Sequence, residues 1–76
     1  MGVKQEEALR GVTSEWRTTA EIVARVPRDD RIAERTHRLE VYYGLWMLLK
    51  NGLVERRPAP REGRGGKKVV EWRLVQ

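Results

Sequence analysis

The chain has 76 residues, 39% hydrophobic and 36% charged, with a net charge of +5 and no cysteine. A chain this short supplies one small core and buries only about 60% of the surface its unfolded form exposes, and the lack of cysteine excludes disulfides, thiolate metal sites and cysteine nucleophiles. No apolar run approaches the roughly 20 residues of a membrane helix, and residues 1–7 are charged where a signal peptide would be apolar, so a cytoplasmic location is expected.

Residues 3–11 are predicted as a first helix, with Val3, Ala8 and Leu9 sharing a side and Gly11 placed to end it. Residues 12–18, which hold Trp16, are too short for a helix and read as a loop or a brief strand. Thr18-Thr19-Ala20-Glu21 has the pattern of a capping box, in which the threonine hydroxyl and the glutamate carboxylate each bond the other's backbone N–H. The helix it opens, residues 19–26, must stop at Pro27, which cannot continue it. Residues 27–35 are polar, and Asp29 and Asp30 are placed to cap the next helix.

A third helix is expected over residues 36–50, where Leu39, Tyr43, Trp46 and Leu49 recur at spacings of four, three and three. Asn51-Gly52 ends it with a left-handed cap. Residues 53–57 and 69–75 then read as two strands of a hairpin, with Val70, Trp72 and Leu74 on one side and Glu71 and Arg73 on the other. Trp72 is expected to pack from the hairpin onto the helices. Between the strands, residues 56–68 hold Arg56, Arg57, Arg61, Arg64, Lys67 and Lys68 against the single Glu62, which accounts for the whole net charge. Clustered positive charge of this kind is either a solvated loop or the footprint of a polyanion partner.

The order of helix, short strand, helix, turn, long helix and hairpin gives a single α+β domain, mainly α, over residues 1–76. Leu45, Leu48, Gly52, Leu53, Val54 and Arg56 match a Leu-x-x-Leu-x-x-x-Gly-Leu-Val-x-Arg pattern, and Thr18 to Ala24 resemble a Thr-x-x-Glu-Ile-Ala helix start. In both features the chain resembles the winged helix-turn-helix regulators of the MarR, ArsR and PadR types. The resemblance covers residues 16–75 and implies a recognition helix at 36–50, a wing at 53–75 and regulation of transcription on double-stranded DNA. One departure is the segment 27–35, several residues longer than those families usually carry.

Projected at 100° per residue, the third helix has a narrow polar side of Thr36, His37, Glu40, Gly44 and Asn51. As a recognition helix it would offer His37 and Glu40 to base edges, Arg35 and Arg38 to bases or phosphates, and Tyr42 to a phosphate. From the wing, Arg57, Arg61, Arg64, Lys67 and Lys68 would meet phosphates or the minor groove. Gly44 admits two readings, a close approach to a backbone or packing against another helix. The helix is more apolar than one small core needs, which suggests a homodimer joined through Tyr43, Trp46 and Leu49. The alternative to DNA binding is a protein-interaction module on the same scaffold, docking on transcription machinery or on a phage or host enzyme. Structured RNA is a third reading. No nucleophile–base pair, metal-ligand cluster or phosphate loop is present in the sequence, so neither an enzyme nor a cofactor nor a small-molecule ligand is expected.

Overall fold

The structure, a computed structural model, describes residues 3–59 and 69–75. Helix α1 spans Val3–Gly11, strand β1 Arg17–Thr18, helix α2 Thr19–Arg25, helix α3 Glu34–Lys50, and strands β2 and β3 Val54–Pro58 and Val70–Leu74. These residues make a small α+β domain in which three helices pack beside a three-stranded antiparallel sheet of order β1-β3-β2.

The local signals act where the sequence places them. The Glu21 N–H donates to Thr18 Oγ1 at 3.1 Å and the Thr18 N–H donates to Glu21 Oε1 at 3.0 Å, completing the capping box at the start of α2. The bond from the Thr18 backbone N–H, and after it the Thr18 hydroxyl, favours the ionised carboxylate and holds the Glu21 carboxyl below its ordinary range. A carboxyl whose folded pKa is depressed stabilises the fold above its unfolded pKa and loses that contribution as pH falls through the folded value. Thr18→Ala should therefore cost about 1 kcal/mol at neutral pH. The difference in melting temperature between wild type and Glu21→Gln should shrink when the pH is taken well below about 4.3. Thermal melts by circular dichroism across that range check both.

α3 ends in a Schellman arrangement. The Gly52 N–H donates to the Leu49 carbonyl and the Leu53 N–H to the Leu48 carbonyl, at 3.0 and 2.9 Å. Gly52 takes the left-handed position with φ of 77°, which glycine adopts without a Cβ penalty. The start of α3 differs from expectation. It begins at Glu34, two residues early, and its N-cap is Ala33 with no side-chain hydrogen bond. Asp29 does not cap it: its carboxylate accepts from the Arg31 N–H at 2.9 Å and pairs with the Arg31 guanidinium, closing a turn of its own. Those two Arg31 bonds, the side-chain one first, also lower the Asp29 pKa. Arg28 Nη1 donates to the Ile32 carbonyl at 2.8 Å, so the long segment between α2 and α3 is held by its own short-range bonds.

The core consists of Ala8, Val12, Ile22, Val26, Val41, Leu45, Leu48, Val54 and Trp72. Trp72, at 0% exposure, is its largest side chain; it reaches from β3 under the helices and donates from Nε1 to Thr19 Oγ1 at 2.8 Å. A buried indole N–H left unpaired would carry the cost of its lost hydration, and Thr19 removes that cost.

Between the two readings of Gly44, the structure selects helix packing. α1 lies mainly on α3, and a Cβ at Gly44 would collide with the Lys4 carbonyl and meet the Ala8 side chain. The same side of α3 carries Asn51, whose Nδ2 donates to Gln5 Oε1 of α1 at 3.2 Å. Gly44→Ala would gain about 1 kcal/mol of helix propensity. The obstructing atoms belong to a backbone that no rotamer change can move, so overpacking, about 1–3 kcal/mol, wins. Urea denaturation should show the variant net destabilised.

Candidate nucleic-acid interface

The rotation of α3 decides which of its residues can meet a partner. Close packing of α1 on Gly44 turns that side inward, so His37, Val41, Gly44, Leu45 and Leu48 are buried. His37, expected to face a groove, is only 5% exposed, and its Nε2 lies 3.4 Å from the Val23 carbonyl of α2. It is an inter-helix residue and is removed from the contact set. Glu40 is half-buried.

The outward side is formed instead by Arg35, Arg38, Leu39, Tyr42, Tyr43, Trp46 and Met47, all exposed. Arg35, Arg38 and Tyr42 are thus available as expected, with Arg38 reaching Glu34 at 3.9 Å, one turn back along the helix. An exposed pair of this kind contributes little and leaves the arginine able to exchange partners. Tyr43 and Trp46 are exposed and Leu49 half-buried. With Lys4, Met47 and Lys50 they line an open hollow of about 720 Å³.

The hairpin divides its arginines between two faces. Register pairs Glu55 with Arg73 and Arg57 with Glu71, while Arg56 sits opposite Trp72. On the face away from the helices, Arg57 Nε donates to Glu71 Oε1 at 2.9 Å and Arg73 Nε donates to Glu55. The guanidinium groups of Arg57 and Arg73 lie 4.2 and 4.4 Å from the Trp16 ring centre, so the indole bridges two cross-strand ion pairs. Arg57, expected to contact DNA, is therefore engaged within the sheet. The period-two alternation of a strand places Arg57 beside Glu71 and turns Arg56 toward α3.

That side joins helix to hairpin through aromatic contacts. Tyr42 and Trp46 of α3 meet the Trp72 ring edge-on, with centroids 6.4 and 5.7 Å away. Arg56 lies over Trp46 at 4.6 Å and within 5.6 Å of Trp72. Sequence reasoning counted Arg56 in the basic segment 56–68 but did not single it out as a contact. The available signal was its two-residue alternation with Val54, which belongs to the core. Arg61, Arg64, Lys67 and Lys68 lie outside the described residues. β2 and β3 lead into that segment, with the Ala59 N–H still bonded to the Val69 carbonyl at 2.9 Å.

Among the described residues no group of three or more His, Asp or Glu side chains converges as a metal site would require, and no helix is long and apolar enough to cross a membrane. No protein-family model matches the chain, and comparison with curated proteins and with solved structures likewise returns no match. A functional reading therefore rests on the sequence motifs and on the geometry of α3 and the hairpin.

Proposed function

We propose that the chain is a winged helix-turn-helix domain that binds double-stranded DNA as a small transcriptional regulator in the cytoplasm, on the nucleoid. The element order and the sheet order β1-β3-β2 support that fold, with α3 as recognition helix and β2–β3 as wing. One observation carries the functional reading. Tyr42 and Trp46 pack edge-on against Trp72 and Arg56 lies over Trp46, so the exposed side of α3 adjoins the two strands between which the sequence carries its basic segment. Arg35, Arg38 and Tyr42 would enter the major groove, and Arg61, Arg64, Lys67 and Lys68 would meet phosphates or the minor groove. Fluorescence titration with random-sequence duplex at low salt tests this: binding that weakens steeply with salt is expected, and no binding removes the reading.

A protein-interaction module is the second reading, and the exposed side of α3 favours it. Leu39 and Tyr43 are 48% and 54% exposed, and Trp46 and Met47 continue the same apolar stripe. Tyr43 and Trp46 of that stripe, with the half-buried Leu49 beside them, are where a second copy would dock if the regulator is a homodimer reading a pseudo-palindrome. Light scattering at micromolar concentration should then give twice the mass of the chain. A monomer that ignores duplex DNA would favour a different protein partner.

A further inference from the structure

The three described arginines of the hairpin are held in two different ways. Arg57 and Arg73 are each neutralised by a carboxylate on the neighbouring strand, Glu71 and Glu55. Arg56 has no carboxylate within ion-pair distance among the described residues, and its neighbours are the rings of Trp46 and Trp72. An indole face attracts the guanidinium through its quadrupole but offers no acceptor to the in-plane N–H groups. Stacking therefore fixes the group while leaving its donor fork unspent, and the fork matches two oxygens of one tetrahedral oxyanion.

We infer that Arg56 is a preformed phosphodiester clamp at the junction of α3 and β2, held by Trp46 and Trp72, which seats the nucleic-acid backbone between helix and hairpin. The inference rests on the duplex-binding reading and names the residue that anchors it. A phosphate polymer suits the position better than an isolated carboxylate. In the sequence, Arg56 begins the basic segment that continues with Arg61, Arg64, Lys67 and Lys68, and such a run of cations suits a polyanion better than a single carboxylate.

The test is a salt series of titrations with random-sequence duplex, using wild type, Arg56→Gln, Arg56→Lys and Arg57→Gln, with thermal melts as folding controls. Loss of one clamped phosphate should weaken binding of Arg56→Gln about tenfold and flatten the slope of log affinity against log salt by about 0.9. Arg57→Gln should leave both unchanged. Arg56→Lys should keep the slope but bind more weakly than wild type, because an ammonium carries the charge without the planar fork. If wild type binds duplex and Arg56→Gln keeps its slope, the clamp is wrong and the duplex reading stands. If wild type itself does not bind, the duplex reading fails and the clamp with it. Should Arg56→Gln melt early, wild-type affinity in Arg56→Lys overturns the clamp by itself. Polyglutamate held by wild type as tightly as duplex overturns phosphate as the ligand.

Discussion

Replacing Trp72 by alanine should cost about 3–5 kcal/mol of folding stability, the range for deleting a fully buried aromatic side chain. Domains hold about 0.05–0.15 kcal/mol per residue, which for this length comes to about 4–11 kcal/mol in total. The substitution would thus remove a large share of the whole and leave part of the population unfolded at room temperature. Trp72 matters this much because it ties four elements together at once. Its ring meets Tyr42 and Trp46 of α3, its backbone pairs with Arg17 of β1 and Arg56 of β2, and its N–H bonds Thr19 of α2. Trp72→Phe, which keeps most of the ring and loses the hydrogen bond, should cost about 1–2 kcal/mol. Urea midpoints for the two variants check the ranking. A Trp72→Ala midpoint within error of wild type would contradict the central place given to this side chain.

Neutralising Arg61, Arg64, Lys67 and Lys68 together should have the largest effect on DNA affinity. If each of the four meets one phosphate, the slope of log affinity against log salt should flatten by about 3.6. Wild type would then lose roughly a hundredfold more affinity than the variant between about 50 and about 200 mM salt. The loss should be similar for every duplex sequence, since phosphate contacts position the protein without reading bases. Thermal melts of the quadruple variant check that it still folds. Unchanged slope and affinity in the quadruple variant would remove the wing from the interface and shift weight to a protein partner.

These four residues lie outside the described part of the chain, and their expected effect is electrostatic. Six basic residues against one acidic residue are a property of the sequence, and the net charge they carry does not depend on the path of the turn. Of these six, the structure describes Arg56 and Arg57, and it separates them: Arg57 is spent on Glu71 while Arg56 rests on aromatic rings. Composition treats the two as equal. Strand alternation does not.

The sequence by itself determined the helices, the hairpin strands and most of their ends. The Thr18–Glu21 box, Pro27 after α2, and Gly52 after α3 act through bonds within a few residues, so their chemistry is legible without a fold. The side alternation of the second hairpin strand and the burial of Trp72 were legible too, because a period-two pattern allows few alternatives. Only the tertiary structure decided which side of α3 faces outward. That helix is apolar over most of its circumference, so periodicity alone could not rank its faces. The close approach of α1 at Gly44 made the choice and carried His37 inward with it. The start of α3 was missed for a local reason: Asp29 bonds Arg31 in a turn of its own and leaves Ala33 as the N-cap. The candidate surface therefore keeps Arg35, Arg38 and Tyr42 from the sequence reading, loses His37 and Arg57 to packing and pairing, and gains Arg56 from the way β2 presents alternate side chains to α3.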